Sequence, residues 1–500
     1  MDKRLANKTW RINNLYKIRN KEGKLIKFTR NRTQSHYSSN LHTRNLILKS
    51  RQLGFTTDEA IDALDEVLWT PNRDVLLIAH NLEAGESIFN KKISFAWDKL
   101  PNEIKNLYKV DNKTSKTLRF DFDKKGFSSI AVDTSGRSGT YHRVHITEFA
   151  DLCKKFPKKV SDIIEGTIPA IPMTGRIDIE STSQGAGGEF YEMFMEAWER
   201  GEPQHPTQYK AHFYNWTWDD EELSRTNKPI PYSKMTQGDK FQEYAIKHNL
   251  TDIQITYYYL KWLSLNKRWN ALKREYPTTP EEAFDAVSEG TYYGEQIGLM
   301  IQNGQIGVYP HERGQKVHTV WDLGVGKNLR IGFFQRDTIS GKLKMIDHMI
   351  GEGSEGLVDV IPKVFKKPYV YGKHFGPHDL ETTDIGSGQT RLKTASGLGI
   401  QFKVVEDWSM EDGINAVSDS LDRWYIDKEK CKEFIKSMKA YEREWDDKRG
   451  MYKDDPLHNW ASHDADMARY TAISENKMTN DSFNPNRPFY DKTIEIWNGK

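Results

Sequence analysis

The stretch that most constrains the fold is Asn45-Leu46-Ile47-Leu48-Lys49-Ser50-Arg51-Gln52-Leu53-Gly54-Phe55-Thr56-Thr57. Leu46 to Leu48 predicts a buried strand. From Thr57 onward Ala60, Ile61, Leu64, Val67 and Leu68 recur at the spacing of one apolar helical face. Strand, tight turn and helix N-terminus together make a phosphate-binding geometry: free backbone N–H groups point at the anion and the helix dipole favours negative charge there. Gly54 permits close backbone approach, and Thr56 offers a hydroxyl to a Mg²⁺ ion. Laid on the pattern G-x-x-x-x-G-K-[ST], Lys49 takes the place of the first glycine and Phe55 that of the lysine. The cation facing the phosphates is then Lys49 or Arg51.

The segments downstream support a nucleotide site. Asp74 to Ala79 predicts a second buried strand, with a helix beginning near Leu82. Thr117 to Phe122 and Ser128 to Val132 read as strands. The loop from Asp133 to Thr140 is rich in Gly and Ser and carries Arg137, a candidate to complete the phosphate site. Arg143 to Thr147 predicts a strand that ends at Glu148, and doubly wound sheets gather ligands at the C-terminal ends of their strands. A glutamate there polarises the water that attacks a γ-phosphate. Arg176 to Thr182 is another strand, followed by the loop Ser183-Gln184-Gly185-Ala186-Gly187-Gly188 and a helix from Glu189 to about Trp198; such a loop is suited to sensing the γ-phosphate. Gln34 precedes the first strand, and its amide both donates and accepts, as reading an adenine edge requires. These strand-to-loop units, with their loops at one edge, predict an α/β nucleotide hydrolase of the P-loop type over residues 1–215.

Composition sets outer limits. The 500 residues suggest two or three domains, and 37% hydrophobic content is enough for real cores. A mean hydropathy of −0.76, with no apolar run near the length of a membrane span, argues against a transmembrane protein. Met1-Asp2-Lys3-Arg4-Leu5 lacks the apolar core of a signal peptide. Cys153 and Cys431 are too few for a disulfide framework or a cysteine metal site, so a cytoplasmic protein is expected. Net charge is only +2. Residues 1–57 are nevertheless strongly basic, a pattern that either tracks a phosphate backbone or forms a solvated face.

Residues 216–310 change character and predict a helical connector or lid, with aromatic-rich helices at Gln254 to Trp262 and Lys267 to Tyr276 and a helix start at Pro280. A new strand pattern begins at Val317-His318-Thr319-Val320-Trp321-Asp322-Leu323-Gly324. Arg330 to Phe334 and Leu343 to Met349 continue it as a meander. Phe375-Gly376-Pro377-His378-Asp379 sets a second aspartate at a strand end, Gln401 to Val405 is the next strand, and Ser462-His463-Asp464-Ala465-Asp466 lies on the last helix. Aspartates on a first strand, a later strand and a closing helix converge in a ribonuclease-H-like fold on two Mg²⁺ or Mn²⁺ ions, which clamp the oxygens of a phosphodiester. Residues 311–475 are the expected nuclease domain and 476–500 a polar tail.

In their order and spacing these motifs resemble the large terminase subunit of tailed bacteriophages over roughly residues 10–475. The pieces that carry the resemblance are Lys49 to Thr57, His145 to Ala150, Glu180-Ser181-Thr182 with its glycine loop, Glu275-Tyr276-Pro277 with Glu282-Ala283-Phe284, Trp321 to Gly324, and Ser462 to Asp466. The resemblance implies an ASCE-type P-loop ATPase followed by a ribonuclease-H-like nuclease. It implies that Gln34 reads adenine and that Lys49, Ser50, Arg51, Gln52, Leu53, Gly54, Phe55, Thr56 and Thr57 form a deviant Walker A. Glu148 would be the Walker B acid, Ser181 and Thr182 the coupling motif, and Asp322, Asp379 and Asp466 the nuclease metal ligands. ATP and Mg²⁺ are the implied motor cofactors. The implied partners are double-stranded DNA, a portal protein, a small terminase subunit and further copies of the chain in a ring on the procapsid, within the host bacterial cytoplasm. The chain departs from the family pattern at Phe55, at Thr147 where many Walker B motifs have aspartate, and at Asn328 where related chains often carry an acid. Two other readings are a helicase or repair ATPase with a fused nuclease, which would separate strands as a purified protein, and a non-catalytic docking subunit. Intact Glu148, Asp322, Asp379 and Asp466 argue against the second.

Overall fold

The computed structural model describes residues 3–122, 125–136, 139–285, 290–337, 340–381, 390–446, 449 and 451–480. Arg137 and the tail beyond residue 480 lie outside the described residues. The chain divides into two compact units, Met1–Ala286 and Val287–Lys500, so the aromatic-rich helices of residues 216–285 fold with the first.

The first unit is built on an eight-stranded sheet: β1 (Arg44–Lys49), β2 (Asp74–Ile78), β3 (Lys109–Lys113), β4 (Thr117–Asp121), β5 (Phe127–Asp133), β6 (Arg143–Thr147), β7 (Arg176–Ser181) and β8 (Lys210–Tyr214). Their spatial order is β8-β1-β7-β6-β2-β5-β4-β3. The first six are parallel, and only β4 and β3 add antiparallel pairing at one edge. β1 and β6 are buried along their whole length, as expected of strands covered on both faces. Strand β7 lies between β1, which feeds the phosphate-type loop, and β6, which ends at Glu148. That inserted strand is the hallmark of ASCE-type P-loop folds. The helices that position the site are α1 (Arg32–Ser39), α2 (Phe55–Trp69), α3 (Phe149–Lys155) and α4 (Glu189–Arg200).

The helices α5 (Gly238–His248), α6 (Asp252–Ser264), α7 (Trp269–Glu275) and α8 (Pro280–Asp285) follow the sheet in this unit. Thr251 and Gln254 form a capping box that starts α6. Trp216, Phe241, Tyr258 and Trp262 pack as a satellite aromatic core.

The second unit carries β9 (Ile306–Gly307), β10 (Val317–Asp322), β11 (Arg330–Arg336), β12 (Leu343–Ile350), β13 (Tyr371–Gly376), β14 (Phe402–Val404) and β15 (Trp424–Asp427), in the order β9-β15-β12-β11-β10-β13-β14. Strands β10, β11 and β12 form an antiparallel meander, and β13 and β14 then add parallel to β10. This is the ribonuclease-H-like sheet. Alternation along its strands feeds two cores: Val320 and Phe334 face Trp424, Phe434 and Ala465, whereas Trp321 and Phe333 face Ile346, Val360 and Val364. The flanking helices are α9 (Leu357–Phe365), α10 (Met410–Ser420), α11 (Lys432–Ala440) and α12 (Ser462–Ser474). The start of the expected tail is fastened to this unit, since Lys316 N donates to Asn480 Oδ1 at 3.0 Å. Among the described residues, no helix is long and apolar enough to cross a membrane.

Candidate functional site

At the end of β1 the backbone turns through Gln52 (φ 67°) and Gly54 (φ 81°) into α2. Gly54 is required on two counts. Its φ lies in the left-handed region, and a Cβ there would stand 2.8 Å from the Gln34 amide nitrogen. Helix α2 begins at Phe55, two residues earlier than its apolar periodicity predicts, because Gly54 serves as the cap.

The basic and aromatic residues of the loop separate clearly. Lys49 is buried; its Nζ donates to Glu148 Oε1 at 3.2 Å and lies 3.7 Å from Glu180 Oε2. Arg51 is turned to the edge, with its side chain 59% exposed and paired to Glu275 Oε2 at 3.2 Å. Of the two candidate cations, the fold brings Lys49 to the carboxylates. Phe55 occupies the position of the usual lysine, yet its ring is buried against Tyr37 and Tyr214, with centroids 5.4 Å and 5.2 Å away. It is a core residue. The loop is also latched from α7: Arg51 N and Ser50 Oγ both donate to the Glu275 carbonyl, at 2.9 and 3.1 Å. Leu53 is buried beside Phe55.

Glu148 directly follows β6 and caps α3 with φ 53°. A non-glycine residue held in the left-handed region is strained, and such strain gathers at functional positions. Its neighbourhood links the expected coupling residues to it. Thr182 N approaches Glu148 Oε2 at 3.5 Å, and Ala150 N donates to Ser181 Oγ at 3.0 Å.

Glu180, read from sequence only as part of a motif, is the hub of this site. It is fully buried at the end of β7, and its Oε1 accepts from Thr56 Oγ1 at 2.7 Å and Thr147 Oγ1 at 2.9 Å. Thr147 thus has a partner of its own in the place where aspartate is often found. His145 lies 3.3 Å from both Glu180 and Glu59. Burial opposes the Glu180 charge, but Lys49 and the His145 bond outweigh it and hold the carboxyl at about 2. Glu180 Oε2 has no hydrogen-bond partner among the described residues.

Gln34 is the third residue of α1 and closes a capping box with Asn31; its Nε2 donates to the Gly54 carbonyl at 2.9 Å. Its amide therefore ties α1 to the loop. Three basic residues of the N-terminal segment meet α2. Arg11 pairs with Asp65 at 2.7 Å, Arg30 with Asp58 at 2.6 Å and Asp62 at 2.8 Å, and Lys8 with Asp62 at 3.1 Å. These neutralise the acidic face of α2, whereas Lys17, Arg19, Lys21, Lys24, Lys27 and Arg32 are exposed.

In the second unit, Asp322 ends β10, Asp379 lies in a helical turn (His378–Glu381) three residues past β13, and Asp466 sits in the second turn of α12. Burial raises the Asp322 carboxyl above its usual range, and the charges of Asp466 and Asp379 raise it further against the bond from His463. The three carboxylates therefore face one region. Each has its own basic partner: His463 Nδ1 at 3.1 Å from Asp322, Arg391 at 3.2 Å from Asp379 and Arg469 at 2.6 Å from Asp466. Asp379 Oδ1 is buried and unpartnered among the described residues. The donor set suits hard cations, although among the described residues no three His, Cys, Asp or Glu side chains are gathered closely enough to hold an ion as they stand. Asp464 is fully buried, with Arg330 at 3.1 Å and Ser437 at 2.6 Å on one oxygen and His348 at 2.8 Å from the other.

No protein-family model and no curated protein matches this sequence. Solved structures do. The HK97 bacteriophage large terminase covers 94% of this chain and 99% of its own, with 10% identity and a TM-score of 0.46. The Thermus phage P74-26 large terminase ATPase domain covers 50% of this chain and 94% of its own, with 17% identity and a TM-score of 0.36. The P22 large terminase nuclease domain covers 35% and 90%, with 16% identity and a TM-score of 0.29. All three belong to phage large terminases.

Several site residues stand out in the sequence only as part of a motif or not at all. Glu275 holds the loop through its backbone carbonyl and its carboxylate pair with Arg51, and His463, Arg391 and Arg469 meet carboxylates through contacts that only the fold creates. Glu180 could have been singled out as an acid at the end of an otherwise buried strand, the same signal that marks Glu148.

Proposed function

We propose that this chain is a phage terminase large subunit, a motor that couples ATP hydrolysis to DNA translocation into the procapsid and a metal-dependent endonuclease that cuts concatemeric DNA. One observation carries the reading: a single chain holds a Lys49–Glu148 pair at the loop edge of an ASCE-type sheet and three aspartates at the corresponding positions of a ribonuclease-H-like sheet. Fold alone does not fix function; the placed side chains support it.

In the first site, Lys49 neutralises phosphate charge, and the α2 N-terminus and the loop N–H groups hold the phosphates. Thr56, hydrogen-bonded to Glu180, would offer its hydroxyl oxygen to the Mg²⁺ that accompanies ATP. Lys49 pairs with Glu148 at 3.2 Å. Phosphate drawing Lys49 away frees that carboxylate to orient the attacking water. Thr182 and Ser181, in contact with Glu148 and α3, transmit the change towards the loop that follows β7. Arg137 remains a candidate to complete the site, and Gln34 would read adenine only by exchanging its bond to Gly54.

In the second site Asp322, Asp379 and Asp466 would hold two Mg²⁺ or Mn²⁺ ions, which supply Lewis-acid activation of water and of the leaving oxygen. His463 orients Asp322, while Arg391 and Arg469 hold the other two carboxylates. Double-stranded DNA is the substrate; the portal protein, small subunit and ring of like subunits on the procapsid are the proposed partners.

The test uses the full chain with Glu148→Ala and Asp466→Ala. Glu148→Ala should lower ATP turnover by about 10²–10⁴-fold while leaving ATP binding and Mn²⁺-dependent plasmid cleavage in place. Asp466→Ala should abolish cleavage and leave turnover intact. Normal turnover in the first variant, or normal cleavage in the second, would overturn the corresponding half.

A further inference from the structure

With Phe55 buried among aromatic rings, the first turn of α2 offers no lysine, and Lys49 is already held by two carboxylates. A second lysine approaches the same loop from another element. The helix that follows β2 runs from Leu82 to Asp98 and contains a π-helical turn at Phe89–Ser94. Such a turn inserts one residue, redirects the side chains around it and is frequent at functional sites. Here it keeps Phe89 and Ile93 in the core and sends Lys92 towards the start of α2, where its Nζ donates to Thr57 Oγ1 at 2.9 Å.

Lys92 lies within electrostatic reach of Glu180 and Lys49, the two groups at the centre of the site. Its situation differs from that of Lys49 in one respect: among the described residues, no carboxylate stands within ion-pairing distance of its Nζ. A half-buried ammonium without a paired carboxylate is costly. Burial lowers Lys92 to about 8 against the more distant attraction of Glu180, and the Lys49 charge adds to the fall. A polyanion docked at the α2 N-terminus would supply the missing counter-charge. The Thr57 hydroxyl that now accepts from Lys92 belongs to the helical turn where phosphate oxygens gather. Glu180 bridges Thr56 and Thr147 and so lies on the side of the loop where Glu148 stands, which is the γ-phosphate side in the function proposed above.

We propose that Lys92 is a second phosphate-binding lysine of the nucleotide site, engaging the γ-phosphate end of ATP and supplying the charge that Phe55 does not. This inference rests on the nucleotide-site reading, and the experiment separates the two. Equilibrium binding of a non-hydrolysable ATP analogue and of ADP is measured for the full-length wild type, Lys92→Gln, Lys92→Met and Lys92→Arg. The expected result is at least a tenfold loss of analogue affinity in Lys92→Gln and Lys92→Met, a less than threefold loss for ADP, and substantial recovery of analogue binding in Lys92→Arg. The thermal midpoint should be unchanged or raised, because a buried charge has been removed. A purely structural lysine would weaken both nucleotides together and would give no rescue by arginine. Wild-type affinity for the analogue in the neutral variants, or equal loss for both nucleotides, would overturn the proposal while leaving the nucleotide site standing. Failure of the wild type itself to bind either nucleotide would overturn both.

Discussion

In the first unit the charged groups of the candidate site are already matched: Lys49 sits between Glu148 and Glu180, Thr56 and Thr147 donate to Glu180, and His145 bridges Glu180 to Glu59. In the second unit three aspartates face one region, each tethered from behind by a basic residue, and their mutual repulsion is left standing. The difference reflects the charge each site would receive. A nucleotide would bring negative charge and displace an internal pair, which fits a cation held against a carboxylate. Metal ions would bring positive charge, which fits carboxylates in excess. The contrast extends below the first site, where a buried network of Glu59, Asp62 and Asp178 with Arg143, Arg176 and Arg30 underlies the sheet edge. Among the described residues, the acids of the second site have no comparable network beneath them apart from Asp464 and its own partners.

The strongest way to break the contrast is to unbalance the buried network. Arg143 is fully buried and pairs with Glu59, with Asp62 at 2.7 Å and with Asp178 at 3.5 Å. Arg143→Met would leave three acids short of a cation, and breaking a buried pair of this kind costs about 3–5 kcal/mol. Calorimetry of the full chain should show the transition of the first unit falling while that of the second holds. Adding Glu59→Gln to the same chain should recover part of the loss. A cost below about 1 kcal/mol would mean that the network behaves like surface ion pairs and that the first site is not pre-matched as described.

Much of this was legible in the sequence because it rests on local pattern. The apolar runs at Leu46 to Leu48 and Leu76 to Ile78 could only be covered strands, and the acids that end β6 and β10 announced themselves by position. Other features were not, because they depend on register and on distant partners. Nothing near Arg11 or Arg30 in sequence says that their charge meets Asp65, Asp58 and Asp62 on α2, so these two could not be told from the exposed basic residues around them. Phe55 fits the Walker pattern badly until the rings of Tyr37 and Tyr214 are in place around it. Nothing local to Asp464 says that it is fully buried against His348, Arg330 and Ser437. Helices α9, α10 and α11 carry no chemical motif to mark them, and α9 and α10 are further disguised by Pro362 and Gly413 in their interiors.

A pH series sharpens the contrast with a smaller effect. Burial disfavours the His145 cation, but its bonds to Glu180 and Glu59 prevail and raise it from 6.5 to about 9. A histidine raised on folding stabilises fully below pH 6.5. It loses that contribution as pH climbs towards 9 and contributes nothing of this kind beyond. With each tenfold change in proton affinity worth about 1.4 kcal/mol, the loss across this window is at most about 3 kcal/mol. His145→Gln should flatten the dependence of the first unit's stability between pH 6.5 and 9, measured against the second unit in the same scan. An unchanged slope in the variant would show that His145 is not the titrating bridge between Glu59 and Glu180.

The smallest expected effect lies in the second unit and has the opposite sign. Asp322 is raised above the ordinary aspartate range by burial and by Asp466 and Asp379, so its ionised form is less favourable in the folded chain than in the unfolded one at neutral pH. Replacing it with the neutral amide removes that penalty. Asp322→Asn should therefore stabilise the ion-free second unit, by about 1 kcal/mol or less, whereas removing Lys49 or Arg143 from the first unit destabilises it. The same substitution should cancel stabilisation by Mn²⁺, which in the wild type reaches about 2.7 kcal/mol at a hundredfold excess over the dissociation constant. Thermal midpoints with Mn²⁺ and with chelator, for wild type and variant, give both numbers at once. If Asp322→Asn lowers the ion-free midpoint, the His463 bond outweighs the repulsion, and the second site is matched internally in the same way as the first.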